Sequence, residues 1–202
     1  MRVVLLAGGK SKRMGCDKIF LPFQGKPLIQ WMTEKLIKSN FTVHIITNGA
    51  NQKRIQQSLP NVLLQNVSIF QDVYPDKGPI GGIYSGLFYS DEPYIFILAV
   101  DLPFFKPELM IAMEKECLRS DALIPQTEKG YEPLFAIYAK SCQAVFLKMI
   151  RQNNLKISNS YGLLNTRILT KKIIANFDPD YQSFVNINTM EDYDEIIRLG
   201  CE

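Results

Sequence analysis

Three glycines and four cationic side chains fall within Gly8-Gly9-Lys10-Ser11-Lys12-Arg13-Met14-Gly15-Cys16-Asp17-Lys18, directly after the apolar run Val3-Val4-Leu5-Leu6-Ala7. Gly8 and Gly9 let backbone N–H groups approach an anion with no Cβ in the way, and Lys10, Lys12, Arg13 and Lys18 surround that position with positive charge. The chemistry this suits is phosphate binding, with a nucleotide as the leading ligand. Two common phosphate motifs do not fit. A P-loop needs a glycine where Val4 stands relative to Gly9-Lys10-Ser11, and the dinucleotide fingerprint needs a G-x-G-x-x-G spacing that glycines 8, 9 and 15 do not provide. Seventeen residues, 8–24, separate the strand from the next turn signal, Gly25-Lys26-Pro27, enough to wrap a triphosphate more fully than one helix N-terminus does.

A second reactive position is Asp101. It closes the continuous apolar run Tyr94 to Val100, and a carboxylate at the end of a buried strand is costly unless it meets a cation. Mg²⁺ takes oxygen ligands and often uses one or two carboxylates beside phosphate oxygens and waters, so Asp101 facing a triphosphate suffices as its protein ligand. The competing reading is an N-cap or turn aspartate ahead of Pro103.

The elements that must position these residues alternate. Arg2 to Ala7, Val43 to Thr47, Ser68 to Gln71, Tyr94 to Val100, Ala122 to Pro125, Leu134 to Tyr138 and Lys171 to Ala175 read as strands. Helical spacing covers Leu28 to Ile37 behind Pro27, a short stretch to Leu59 capped by Asn51, Ile80 to Tyr89, Pro107 to about Arg119, Gln143 to Arg151, and a last helix capped by Thr189 and reaching about Leu199. Residues 61–67 and 159–166 fit neither period. The pattern predicts a three-layer α/β fold around a mostly parallel sheet, one domain over residues 1–202. Ligands of such sheets bind beyond the carboxyl ends of the strands, near the point where strand order reverses. The basic loop, Asn48 with Gly49, Asp72 and Asp101 each follow one of the first four strands and are expected to converge there.

Composition narrows the class. Lys and Arg number 23 against 20 Asp and Glu, a net charge of +3, too small to point to nucleic acid or a membrane surface. No apolar run approaches a membrane span and no signal-peptide pattern opens the chain, so a cytoplasmic location is expected. Cysteines 16, 117, 142 and 201 form no C-x-x-C pair and read as reduced thiols. The single histidine, His44, lies inside a strand and is expected to be structural, which leaves Cys16 without a base for covalent catalysis.

The string Leu6-Ala7-Gly8-Gly9-x-Ser11-x-Arg13-Met14-Gly15-x-Asp17-Lys18, followed by Gly25-Lys26-Pro27-Leu28, resembles the nucleotidyltransferases related to molybdenum cofactor guanylyltransferase. Later signatures of that family follow in its order: Gly78-Pro79-Ile80-Gly81-Gly82-Ile83, Asp101-Leu102-Pro103-Phe104, Glu132-Pro133-Leu134-Phe135 and Asn186-Ile187-Asn188-Thr189. The resemblance implies a Rossmann-like nucleotidyltransferase domain that transfers GMP from GTP to molybdopterin, as the molybdenum cofactor, and releases pyrophosphate. It implies that Leu6, Ala7 and Gly8 contact the nucleotide, that Lys18 binds phosphate, that Asp101 holds Mg²⁺, and that Asn48 and Asp72 serve the guanine nucleotide, with Asp76 a rival to Asp72. Asn186 and Asn188 match a late motif facing the site and are assigned to the acceptor side, against the reading that they only cap the last helix. Other cofactor-biosynthesis proteins or acceptor molybdoenzymes would be its partners. In such a transfer an acceptor phosphate oxygen attacks the α-phosphorus, no protein nucleophile is needed, and Arg13 and Lys18 would stabilise charge on the triphosphate and the leaving pyrophosphate.

Two positions depart from the family pattern: Gly82 stands where alanine is usual, and Met190 replaces a proline, neither expected to touch the chemistry. Gly9, where related cytidylyltransferases carry alanine, leaves room for a purine. A CTP-dependent cytidylyltransferase of the same pterin or a sugar-phosphate nucleotidylyltransferase would use the same loop and aspartate. A non-catalytic carrier of the molybdenum cofactor would need neither Lys18 nor Asp101.

Overall fold

The computed structural model describes residues 1–8 and 17–199. The strands are β1 (Arg2–Leu6), β2 (Pro22–Phe23), β3 (Lys26–Pro27), β4 (Thr42–Thr47), β5 (Val67–Gln71), β6 (Tyr94–Ala99), β7 (Ala122–Thr127), β8 (Gly130–Tyr131), β9 (Phe135–Ala139) and β10 (Thr166–Leu169). The helices are α1 (Leu28–Lys38), α2 (Gly49–Ser58), α3 (Asn61–Leu64), α4 (Pro79–Tyr89), α5 (Pro107–Glu116), α6 (Cys142–Arg151), α7 (Lys171–Ala175) and α8 (Met190–Leu199).

One sheet runs in the order β10-β7-β9-β6-β1-β4-β5, with β8 pairing off β7, while β2 and β3 form a separate small hairpin. β5, β4, β1 and β6 are mutually parallel; β9 runs antiparallel to both β6 and β7, and β10 returns parallel to β7. β1 lies between β4 and β6, with Val4 opposite His44 on one side and Ile97 on the other. The chain passes from β1 to β4 and β5 on one side and later crosses to β6 on the other, so the order reverses at β1 and opens a crevice at its carboxyl end.

Side chains alternate along β1, and the two faces feed two cores. Val3 and Leu5 pack with Leu28, Met32 and Leu36 of α1 and with Leu109, Met110 and Met113 of α5. Val4 and Leu6 pack with Ile80, Ile83 and Leu87 of α4 and with Phe146, Met149 and Ile150 of α6. This is the expected three-layer arrangement, and burial on both faces explains why β1, β4 and β6 read as continuous apolar runs. Helix α4 lies unusually close to the sheet: a Cβ on Gly86 would come 2.7 Å from Val4 Cγ1. That contact brings the first turn of α4, at Pro79, to the crevice.

Several boundaries differ from the sequence reading. Lys171–Ala175 is a helix, not a strand; Ile173 and Ile174 suggested β structure, but the edge strand is the preceding Thr166–Leu169, whose pairing with β7 leaves the next residues to turn back with Ile174 buried. Helix α2 starts after Asn48, whose side chain accepts a hydrogen bond from Asn51 N, so Asn48 rather than Asn51 is the cap. Helix α5 ends at Glu116, short of Arg119, which takes a positive φ of 69°. The ambiguous residues 61–67 hold α3 and the first residue of β5, and 159–166 hold the end of a 3-10 segment and the start of β10. Among the described residues no helix is long and apolar enough to cross a membrane.

Candidate functional site

Beyond Leu6 the chain stays locked between its neighbours. Ala7 N donates to Ile46 O at 2.8 Å, Val100 N donates to Leu6 O at 3.2 Å, and Thr47 Oγ1 donates to Ala7 O at 3.3 Å. Ala7 and Gly8 are therefore presented at the mouth of the crevice in a fixed register. The chain is next described at Asp17, and Lys18–Phe20 forms a 3-10 turn anchored by Ile19, which is buried in the core. Lys18 projects from that turn into a cleft of about 200 Å³ lined by Leu6, Ala7, Gly8, Asp17, Lys18 and Asp101, with Pro79 and Leu134 at its rim.

Within this cleft Lys18 Nζ donates to Asp101 Oδ2 at 2.8 Å, and the two side chains are only 19% and 22% exposed. The expectation that Asp101 would meet a cation is met by Lys18. Asp101 Oδ1 hydrogen-bonds to none of the described residues; Asp101 caps no helix but does lie in a turn, in which Leu102 N donates to Ala99 O at 3.2 Å. Both partners are also tied to the backbone of one residue far along the chain: Ile187 N donates to Asp101 O at 2.9 Å, and Ile187 O accepts from Lys18 Nζ at 3.5 Å.

The remaining candidate residues are placed as follows. Gly9 and Arg13 lie outside the described residues. Asn48 is exposed at the carboxyl end of β4, its backbone N 4.0 Å from where a Cβ on Gly8 would stand, and its Oδ1 accepts from Asn51 N at 3.0 Å. Asp72 follows β5 but does not line the cleft. Its Oδ1 accepts from Ser85 Oγ at 2.7 Å and from Tyr74 N at 3.0 Å, holding the turn that leads into α4, and burial raises its carboxyl pKa despite those bonds. Asp76 is exposed in the same loop with φ of 65°. Asn186 and Asn188 are exposed on either side of Ile187. The cap of α8 is built by other groups: Asp192 N donates to Thr189 Oγ1 at 3.1 Å, and Asp192 Oδ2 accepts from Asn188 N and Thr189 N, each at 2.9 Å. These backbone bonds hold the Asp192 carboxyl below its usual pKa. Neither asparagine side chain takes part in that cap.

Sequence reasoning passed over four contributors. Asp17 lines the cleft, and its Oδ2 accepts from Asn51 Nδ2 at 2.6 Å; its place beside Lys18 was a usable signal. Pro79 and Leu134 line the rim within motifs already noted. Ile187 acts through its backbone and carries no sequence signal. Gly82 packs against a cleft residue: a Cβ there would come 3.0 Å from Leu6 Cδ2.

Groups outside the cleft behave structurally. His44 is buried beside Phe70 at 4.8 Å between ring centroids, and burial, reinforced by Arg2, lowers its pKa to about 4. Its Nδ1 has no partner among the described residues, so the histidine is less fully satisfied than expected. Cys117 and Cys142 are buried free thiols, and burial pushes Cys142 up to about 12. Neither is available as a nucleophile at neutral pH.

A strand-end lysine–aspartate pair at the reversal point of a parallel sheet fits a transferase of nucleotides, and comparison with known proteins bears on it. The model of the MobA-like NTP transferase domain matches residues 3–161. The chain belongs to this family. It is therefore a nucleotidyltransferase. A probable molybdenum cofactor guanylyltransferase of Natranaerobius thermophilus is 33% identical over 194 residues, which span 95% of this chain and 92% of the relative. A molybdenum cofactor guanylyltransferase of Syntrophotalea carbinolica is 30% identical over 98% of this chain and 90% of its own. Among solved structures, molybdopterin-guanine dinucleotide biosynthesis protein A from Archaeoglobus fulgidus superposes with a TM-score of 0.85 at 30% identity, covering 100% of this chain and 99% of that one.

Proposed function

We propose that this MobA-like transferase moves GMP from GTP to molybdopterin, as the molybdenum cofactor, forming the guanine dinucleotide and releasing pyrophosphate. The carrying observation is the Lys18–Asp101 pair facing the cleft at the end of β1 and β6, in a chain whose relatives of that name match it over nearly their whole length. An acceptor phosphate oxygen attacks the α-phosphorus of GTP; that P–O bond forms as the bond to the β-phosphate breaks, and the electron pair leaves on pyrophosphate. The chain's task is positioning and charge compensation. Gly8, with Gly9, offers backbone N–H groups to phosphate oxygens, and Lys18, with Arg13, faces the charge that builds on the leaving pyrophosphate. Leu6 and Ala7 form the floor under the nucleotide. Asn48 and Asp72 serve the guanosine side, Asp72 by shaping the turn before α4, and Asn186 and Asn188 flank the acceptor side.

A divalent cation, Mg²⁺, fits these residues in one way. Among the described residues there is no group of three metal-ligating side chains, and Asp101 Oδ1 accepts no hydrogen bond from them, so Asp101 would hold the ion as a single carboxylate beside phosphate oxygens and waters. When bound, the ion neutralises charge on the transferred and leaving phosphates. All 202 residues act in this reading as one catalytic domain in the cytoplasm, with cofactor-biosynthesis proteins or acceptor molybdoenzymes as partners.

The test is pyrophosphate release with molybdenum cofactor as acceptor and GTP, CTP, ATP or UTP offered singly, with and without Mg²⁺. The expected result is release with GTP alone, dependent on acceptor and metal. Release with CTP would move the chain to cytidylyl transfer, release with UTP and a sugar phosphate to a sugar-nucleotide enzyme, and cofactor binding with no release to a carrier.

A further inference from the structure

The turn that carries Lys18 packs against α1, and two further side-chain contacts that hold it come from a second helix. Asn51, in the first turn of α2, donates through Nδ2 to Asp17 Oδ2 at 2.6 Å. A carboxylate can only accept, so this contact fixes which end of the Asn51 amide faces Asp17. One turn further along α2, the Arg54 guanidinium sits 3.7 Å from the centre of the Phe20 ring, a cation–π contact. Asp17 and Phe20 bracket Lys18 and Ile19, so α2 grips the Lys18 turn at both ends. The grip also reaches the other side of the site. Asn51 N donates to Asn48 Oδ1 at 3.0 Å, so Asn51 is bonded at once to the residue ending β4 and to the residue preceding Lys18.

We infer that Asn51 and Arg54 are positioning residues that set Lys18 in register with Asp101, and that α2 is the element through which a ligand at the end of β4 bears on Lys18. This rests on the proposed role of Lys18 in charge compensation. The physical argument is one of tolerance. Asp101 lies in the turn directly after a central strand, held by Leu102 N donating to Ala99 O at 3.2 Å and Ile187 N donating to Asp101 O at 2.9 Å, whereas Lys18 stands in a 3-10 turn of three residues that belongs to no strand of the main sheet. Electrostatic help to a transition state falls steeply with misplacement, so the turn needs an external brace, and α2 supplies one that touches no reacting atom. Neither contact is needed by the core: Asn51 and Arg54 lie on the helix surface, whereas Ile55 anchors α2 to the sheet.

The closing experiment is a double-mutant cycle on the full chain, with guanylyl transfer, GTP affinity by calorimetry and Tm measured for each variant. Asn51→Asp sets two carboxylates against each other and is expected to lower kcat about 10- to 100-fold, with GTP affinity changed less than about threefold and Tm nearly unchanged. Asp17→Asn lowers kcat as well. Asp17→Asn combined with Asn51→Asp restores an amide-to-carboxylate bond in the opposite sense and is expected to be at least about fivefold more active than either single variant. Arg54→Met should lower kcat by about two- to fivefold. A double variant no better than the poorer single variant, or an Asn51→Asp enzyme as active as the unmodified chain, overturns the inference. If the unmodified chain itself transfers no GMP, the functional reading fails first, and the two failures are thereby told apart.

Discussion

The two halves of the lysine–aspartate pair are held by very different means. Asp101 sits in the turn directly after β6, at the centre of the sheet, and the loop behind it is fastened from three directions. Ile187 N donates to Asp101 O at 2.9 Å, Lys106 N donates to Ser183 Oγ at 3.0 Å, and Lys35 Nζ donates to Phe105 O at 2.6 Å while lying 4.3 Å from the Phe105 ring centre. Ser183 is itself fixed, since the buried Asp178 carboxylate accepts from Ser183 N at 2.7 Å and from Gln182 N at 3.0 Å. Among the described residues the Lys18 side is held by the buried Ile19, by packing against α1, where Leu28 N donates to Leu21 O at 2.9 Å, and by the surface grip of α2. The aspartate belongs to the rigid frame, and the lysine is brought to it. This division suits a reaction in which the cation-binding group must be in place beforehand and the phosphate-binding group must adapt to a ligand.

Substitutions should separate the two sides. Asp101→Asn removes the negative charge without changing shape, and is expected to reduce divalent-metal-dependent pyrophosphate release by about 10³-fold or more with the fold intact. Retained activity would remove Asp101 from the chemistry. Lys18→Met should lower kcat/KM about 10²- to 10³-fold and also weaken GTP binding, because in the proposed role this cation would face phosphate in both ground and transition states. Equal losses in binding from both variants would erase the contrast between them.

Ser183→Ala tests the frame rather than the chemistry. It leaves the Lys106 N–H without its acceptor, and a loss of about 1–3 kcal/mol in unfolding free energy is expected, with kcat reduced only several-fold. If this variant kept its full stability but lost as much activity as Asn51→Asp, the frame would not be the stiffer side.

His44 belongs to neither side and predicts the smallest effect at neutral pH. Its folded pKa of about 4 lies below the unfolded value near 6.5, so between those values the unfolded chain takes up the proton and the folded one does not. Stability should therefore be unaffected above about pH 6.5 and fall by up to about 3 kcal/mol as pH drops towards 4. Urea denaturation of His44→Leu should show a flatter profile across that window. A steep profile in the variant would assign the acid sensitivity to the carboxylates.

Much of the frame was legible because strands buried on both faces leave continuous apolar runs. β1, β6 and the placing of Asp101 at a strand end follow from that alone. Lys18 could be read from residue type, and so could the Thr189 cap of α8, while residues 9–16 of the basic loop lie outside the described residues. What escaped depends on partners that are distant in sequence. Lys171–Ala175 carries β-branched residues, yet tertiary packing of Ile174 makes it helical, and propensity yields to burial. Asn48 and Asn51 are both good caps, and only the path of the chain out of β4 decides between them. Ile187 joins both members of the pair through atoms that every residue possesses. Asp72 was read as a ligand-facing group because it follows a strand, whereas its bonds to Ser85 and Tyr74 turn it towards α4.

The position of Ile187 has a practical consequence. The family match ends at residue 161, yet the residue whose backbone bridges Lys18 and Asp101 lies 26 residues beyond it. A fragment cut at that boundary would retain every group assigned to GTP and lose the fastening of the aspartate that must work beside them. Grafting or minimising this enzyme should therefore treat the tail through α8 as part of the catalytic apparatus, and its sequence as a place where turnover can be tuned without rewriting the nucleotide pocket.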